Sequence, residues 1–221
     1  MQPNYVQRLQ LVFSKTGSTR YIGHLDLART LERSLNRAQI PLAYTQGYNP
    51  RPRLQLATAL PLGFTSECEI ADIWLLESIT PEKALVVIQE KMAPGIHIHS
   101  IVEADLRAPA LQTLVIEAEY TANVRKQVAI NDLNQRIIDL LSATELIRER
   151  RGKVYDLRSL VLDLESSADD QERIFIKMRL RHEPGRTGRP DEVLSALELD
   201  PLDAHVHRTR LIMVDATLLS T

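Results

Sequence analysis

The residues with the most to offer chemically lie in one loop. Gly47-Tyr48-Asn49-Pro50-Arg51-Pro52-Arg53 places an aromatic ring, an amide and two guanidinium groups close together. Pro50 and Pro52 fix their own φ and bias Asn49 and Arg51 toward extended backbone. These groups are therefore ordered before anything binds, which lowers the entropy cost of binding. With Tyr44 and Gln46 just upstream, the set Tyr44, Gln46, Tyr48, Asn49, Arg51 and Arg53 suits stacking on bases, hydrogen bonds to base edges and charge contacts with phosphate. The alternative is a structural connector whose tyrosine packs and whose arginines are solvated.

Upstream, Arg29, Arg33 and Arg37 recur every fourth residue, the spacing of one helix face. Such a row either contacts successive phosphates or is a solvated face partly paired with Asp26 and Glu32. Arg20 lies in the turn before this helix and is a further anion ligand. His24 opens the helix, where backbone N–H groups favour anions. It either meets a ligand there or caps the turn. A lone histidine with a near-neutral pKa is also a candidate general base, although no second acid or base is set beside it by spacing alone.

Three weaker sets occur elsewhere. Arg148, Arg150, Arg151 and Lys153 form the basic tip of a hairpin, a device that also protects sheet edges. Gly185-Arg186-Thr187-Gly188-Arg189-Pro190 leads into a helix and could cradle a phosphate, without the fixed spacing of a nucleotide-binding loop. His97 and His99, like His205 and His207, share one strand face pair by pair. Without a nearby carboxylate or thiol to complete a metal set, they read as surface histidines, and no metal site is expected.

The elements that carry these groups follow from periodicity. Residues 7–14 alternate as a strand. Residues 24–38 form a helix with Leu27, Ala28, Leu31, Leu35 and Ala38 on its apolar side. Pro41 ends the helix, and Leu42 to Thr45 reads as a short strand. Glu69 to Leu76 is a strand, Thr80-Pro81 caps a helix over 81–92, and residues 96–101 form a strand. The order strand, helix, strand, strand, helix, strand predicts a ferredoxin-like α+β subdomain with an antiparallel sheet and both helices on one face. Ala108-Pro109-Ala110 reads as a linker. In the second half, strands at 114–120, 145–149, 153–165, 174–181 and 206–214 interleave with helices at 129–142 and 190–197. Two tandem ferredoxin-like subdomains, 1–107 and 111–221, are expected.

The chain has 221 residues, 44% hydrophobic, with a formal net charge of −2. That total excludes coating of nucleic acid by bulk charge, but the distribution is uneven. Residues 1–55 hold eight basic residues against two acidic, and residues 56–110 hold three against eight. The first quarter therefore either presents a positive face or is neutralised by the second. One cysteine, Cys68, excludes an internal disulfide framework. With no apolar run long enough to span a bilayer and no signal-like start at Met1 to Asn4, a cytoplasmic location with no membrane partner is expected.

The residues also resemble a known family. Ser14-Lys15-Thr16-Gly17, Gly23-His24-Leu25-Asp26-Leu27 with Arg29 and Glu32-Arg33, Pro41-Leu42-Ala43-Tyr44, the Gly47–Pro52 loop and Leu60-Pro61-Leu62-Gly63 are similar to the radical-SAM-linked domain of unknown function. Asp156-Leu157-Arg158 and Gly188-Arg189-Pro190-Asp191-Glu192 extend the likeness into the second half. Tyr48 and Arg51 stand where the family more often has Phe and His. That family occurs beside a cobalamin-binding radical SAM protein, or as its C-terminal part. The resemblance implies a radical SAM partner but no reaction. A radical SAM cluster needs three thiolates, which one cysteine cannot supply, so this chain would be the non-catalytic part, with no cofactor of its own. Asp203-Ala204-His205 resembles the start of a cobalamin-binding D-x-H-x-x-G run, but Arg208 stands where glycine is required, and the match reads as chance.

Three functions follow. The first is a non-catalytic RNA-binding or substrate-presenting module that works with a radical SAM enzyme in RNA modification. The second is a metal-independent endoribonuclease using His24 as base, with Arg20 or Arg51 stabilising the phosphate. The third is a docking domain for the radical SAM protein, using the acidic 56–110 segment.

Overall fold

The computed structural model describes residues 5–125 and 128–214. The Met1–Asn4 start and the outermost part of the 111–221 range lie outside it. The fold is mixed α+β with antiparallel pairing, and the chain divides into two compact units, residues 5–114 with residue 214, and Val115–Met213.

In the first unit, β1 (Gln7–Lys15) leads through a 3-10 turn, Gly17–Tyr21, into α1 (His24–Arg37). Then come β2 (Leu54–Leu56), β3 (Thr65–Leu75), α2 (Pro81–Lys91), β4 (Ile96–Ala104) and the short α3 (Leu111–Leu114). The hydrogen-bonded strand order is β2-β3-β1-β4, antiparallel throughout. Alternation along β1 sends Leu9, Leu11 and Phe13 to one side, where Leu27, Leu31 and Leu35 of α1 and Ala84 and Ile88 of α2 bury against them in a single core. Both helices thus cover the same sheet face.

The second strand of this unit lies further along than Leu42 to Thr45. Leu42 and Tyr44 make only isolated bridges, to Leu75 and Pro52, whereas Leu54–Leu56 pairs with Ile73, Asp72 and Ala71 of β3. Pro41 spends residues 42–53 on a hairpin-like excursion before the chain can rejoin the sheet. Likewise Leu114 closes α3, and the following strand begins one residue later.

On the opposite face of β1 and β3, Arg8 lies across from Trp74 in the register. Arg8 is 2% exposed and ion-pairs with Asp72, which is 0% exposed. Its remaining N–H groups donate to the carbonyls of Ala108 at 2.8 Å and Pro109 at 3.2 Å. The Ala108–Ala110 stretch is therefore fastened to the sheet by Arg8, and the main-chain N–H of Leu111 donates to the Gln55 side chain at 3.0 Å.

The second unit contains β5 (Val115–Val124), α4 (Ile130–Ser142), β6 (Ile147–Arg150), β7 (Lys153–Asp156), β8 (Val161–Ala168), β9 (Ile174–Glu183), β10 (Arg186–Thr187), α5 (Pro190–Ala196) and β11 (Ala204–Met213). Its sheet runs β8-β9-β5-β11, antiparallel, with β10 continuing beside the end of β9. Ile174, Ile176, Met178 and Leu180 of β9 alternate inward, and Leu133, Ile137 and Leu140 of α4 are buried. β6 and β7 form a separate hairpin. Arg208, which stood in the place of the cobalamin-motif glycine, is a β11 residue with no exposed surface, and it donates to the Tyr120 hydroxyl at 3.2 Å.

Candidate nucleic-acid interface

The loop after Tyr44 is pinned at its base and open at its tip. The N–H of Thr45 donates to the Arg51 carbonyl at 2.8 Å, and that of Arg53 to the Ala43 carbonyl at 2.7 Å. The N–H of Arg51 donates to Thr45 Oγ1 at 3.0 Å. Ala43 and Arg53 are in turn tied to Trp74 of β3, so the base is an extension of the sheet. Beyond this base Gln46, Gly47, Tyr48, Asn49 and Pro50 are all exposed. Gly47 has φ of +146°, a backbone state that only glycine adopts readily. Tyr48 is 100% exposed. Its ring gains nothing from burial in this chain and stands free to stack on another molecule.

Arg51 is exposed beside the tip, but Arg53 leaves it. The Arg53 guanidinium carbon lies 4.5 Å from the Tyr5 ring centre and 4.9 Å from that of Trp74. Arg8 lies 4.9 Å from the same Trp74 ring. One indole thus carries two cations, a cluster the sequence did not reveal, because Tyr5, Arg8, Arg53 and Trp74 are scattered along the chain.

Around α1 the predicted groups divide. Arg20 stacks on Tyr21, its guanidinium carbon 4.5 Å from the ring centre, and donates to the Tyr21 hydroxyl. The Arg20 carbonyl accepts the Gly63 N–H at 2.8 Å, which brings the Leu60–Gly63 turn to the start of the helix. Arg29 pairs loosely with Asp26 at 3.4 Å, both exposed, a contact of small energy. Arg33 is exposed with no ion pair among the described residues. Arg37 instead donates to the Lys91 carbonyl at 2.9 Å and to Ser34 Oγ at 3.0 Å, tying α1 to the end of α2. Two more of the eight basic residues are spent inside: Arg8 on Asp72, and Lys15, whose Nζ donates to the Phe64 carbonyl at 3.4 Å. Arg29, Arg33 and Arg51 remain as the open cations.

His24 is the first residue of α1 after the Gly23 N-cap. It is half-buried, and its Nδ1 makes no hydrogen bond among the described residues. Burial lowers its pKa, opposed by the Glu69 carboxylate, so the ring is neutral at physiological pH and retains an acceptor nitrogen. His97 and His99 on β4 are exposed, their rings 5.2 Å apart. Among the described residues no three His, Cys, Asp or Glu come together as a metal set, and no helix is long and apolar enough to cross a membrane.

In the second unit two of the weaker sets meet. The β6–β7 turn and the Gly185–Arg189 stretch line one cleft of about 460 Å³. Arg150 pairs with Glu192 at 3.3 Å and Arg189 with Asp191 at 2.7 Å. Tyr155 also lines this cleft, and sequence reading missed it because a tyrosine alternating along a strand reads as packing. Burial first, and then the negative Glu192, push its phenol up to about 12. Among the described residues its hydroxyl has no partner in hydrogen-bonding geometry, although Glu192 is near enough to raise its pKa. On β9, burial and then the Arg208 charge lower His182 to about 4.

A family described as "Uncharacterized protein conserved in bacteria (DUF2344)" matches residues 8–190. The chain belongs to this DUF2344 family. The match takes in both units and every candidate group named above from His24 to Arg189. No curated protein matches the chain. Among solved structures, one chain of a Cbf5-Nop10-Gar1 complex is similar at 12% identity with a TM-score of 0.51, covering 98% of this chain and 54% of that one. A chain of an archaeal box H/ACA sRNP Nop10-Cbf5 complex is similar at 11% identity with a TM-score of 0.47, covering 94% and 49%. This DUF2344 member spans about half the length of these two solved chains, and the first likeness is one of α+β fold.

Proposed function

We propose that this chain is a non-catalytic module that binds RNA, or presents an RNA substrate, for a radical SAM enzyme that modifies it. The observation that carries the reading is the loop at Tyr48. A fully exposed aromatic sits at the tip of a hairpin whose base is hydrogen-bonded to the sheet, with Asn49 and Arg51 exposed beside it. Ring, amide and guanidinium together supply stacking, edge recognition and phosphate contact. The open Arg29 and Arg33 on α1 add charge that a strand can follow.

Each unit is read as ferredoxin-like. The succession strand, helix, strand, strand, helix, strand, with the second and fourth strands outermost, supports this in the first unit, and the β8-β9-β5-β11 sheet follows the same order in the second once the inserted β6–β7 hairpin and β10 are set aside. The radical SAM partner rests on the motif resemblance of residues 14–72, and docking through the acidic 56–110 segment belongs to the same reading.

Filter binding of tRNA and ribosomal RNA fragments tests the module. Tyr48→Ala and Arg51→Ala are each expected to weaken retention about tenfold, the effect of losing one stacked base or one charge-assisted contact. Retention unchanged in both variants would sink the reading. A nuclease reading has one observation in its favour, the neutral His24 with an unbonded ring nitrogen. Incubating labelled RNA with wild type and His24→Ala separates the two, since a module leaves the RNA intact and bound in both.

A further inference from the structure

The second unit carries a cationic cleft built from two tight turns. Arg150 and Lys153 are paired across a two-residue turn, Arg151-Gly152, in which both residues have positive φ, +51° and +74°. Facing it, Glu183 and Arg186 pair across Pro184-Gly185, with Gly185 at φ +78°. Arg150, Arg151, Lys153, Arg186 and Arg189 all line the cleft between these turns. The only carboxylate lining it among the described residues is Asp156. That carboxylate is already committed, accepting N–H groups from Leu146 at 2.8 Å, Arg158 at 3.0 Å and Ser159 at 3.1 Å.

The cations are not equally occupied. Glu192 and Asp191 hold Arg150 and Arg189 in place. Arg186 reaches Glu183 only at 3.9 Å, and Glu183 is also bound by Arg181 at 2.6 Å. Arg151 and Lys153 are exposed and have no ion pair among the described residues. The cleft therefore has two anchored guanidinium groups and three positive groups with charge to spare, an arrangement that draws in a doubly charged anion. Its wall is not uniformly polar. Leu160 is buried at the cleft and the Tyr155 ring is half-buried beside it. Burial keeps the proton on the Tyr155 hydroxyl.

A positive φ at a residue other than glycine or asparagine costs roughly 1–2 kcal/mol, and asparagine would be the undemanding choice before Gly152. Arginine at 151 holds a full charge over the cleft at that cost.

We propose that this cleft binds a nucleoside monophosphate, with the phosphate monoester on Arg151, Lys153 and Arg186 and the base against Tyr155 and Leu160. Two sources carry this chemistry, a free nucleotide and the phosphorylated end of an RNA strand. The volume lies within the range of small-ligand sites. The site is in the other unit from Tyr48 and stands whether or not that loop binds RNA.

Titration of the full chain with AMP, adenosine and inorganic phosphate tests it, alongside a short oligoribonucleotide with either a 5′-phosphate or a 5′-hydroxyl. Saturable AMP binding is expected, with adenosine at least about tenfold weaker and inorganic phosphate competing, because the charge carries most of the affinity. Lys153→Glu and Arg186→Glu, both at exposed positions, are each expected to weaken AMP about tenfold or more without changing the melting temperature. Arg51→Glu is expected to leave AMP binding unchanged while weakening RNA retention, so that this site and the loop fail separately. A 5′-phosphorylated strand that outcompetes AMP supports the strand end as the source, and AMP binding that the strand does not displace supports the free nucleotide. No saturable binding of AMP or of the phosphorylated strand up to about 1 mM, binding unmoved by both charge reversals, or adenosine binding as well as AMP would each overturn the assignment.

Discussion

Arg8 shows how a residue can be readable in one respect and hidden in another. Alternation around Leu9, Leu11 and Phe13 sets it on the face of β1 away from the helices, which the sequence makes plain. Its partner, Asp72, is 64 positions away, and no local pattern points to it. Both groups are out of water and ion-paired. Removing one side leaves the other charged, buried and uncompensated, the expensive case for a buried pair. Arg8→Ala is expected to lower stability by about 3–5 kcal/mol, read as a shift in urea midpoint. Replacing both residues together, Arg8→Met with Asp72→Leu, is expected to restore most of that loss, because it removes the orphaned charge along with its partner. A double variant no better than the single one would show that the Arg8 bonds to Ala108 and Pro109, rather than the charge pair, dominate. The place of His24 at the start of α1 and the exposure of Tyr48, Asn49 and Arg51 were legible for the opposite reason. Both follow from local sequence, and the prolines that stiffen the tip lie in the same loop as Tyr48, Asn49 and Arg51. Arg53 was not, since its direction is set by rings at positions 5 and 74.

At the scale of elements, helices were the easiest to see. The apolar positions of α1 recur at 27, 31 and 35 and are all buried, while Arg29 and Arg33 stay in solvent. Arg37 departs from that row because the end of α2 offers it a carbonyl, a tertiary effect that spacing cannot encode. The second strand was misplaced for a related reason. Leu42 to Thr45 has the composition of a strand, but Leu54–Leu56, only three residues long, is the segment that pairs with β3. The β6–β7 turn was placed correctly at Arg151-Gly152, and its strained geometry now yields a prediction. Arg151→Asn puts a residue that tolerates the left-handed region where one that resists it now stands. It is expected to stabilise the chain by about 1 kcal/mol in urea denaturation while weakening AMP binding several-fold. A variant that gains stability and keeps full affinity would separate the turn from the site.

At the scale of the whole molecule, the split in charge between residues 1–55 and 56–110 overstates the positive face. Of the eight basic residues in the first quarter, Arg8 and Lys15 are buried, Arg37 and Arg53 are engaged with neighbouring elements, and Arg20 is folded onto Tyr21. Three open cations, Arg29, Arg33 and Arg51, remain for a polyanion. With a net charge of −2 the rest of the chain adds no general attraction. Each phosphate contact to a single strand contributes roughly 0.7 to the slope of log affinity against log salt concentration. Three contacts therefore give RNA binding a slope of about −2, shallow for a nucleic-acid binder. Removing two of them, in Arg29→Ala with Arg33→Ala, is expected to bring the slope to about −0.7. The Tyr48→Ala variant is expected to lose affinity with the slope unchanged, because stacking releases no counterions. A slope much steeper than −2 in the wild type would mean that cations outside the first unit carry the strand, and the cleft at Arg151, Lys153 and Arg186 would then be the place to find them.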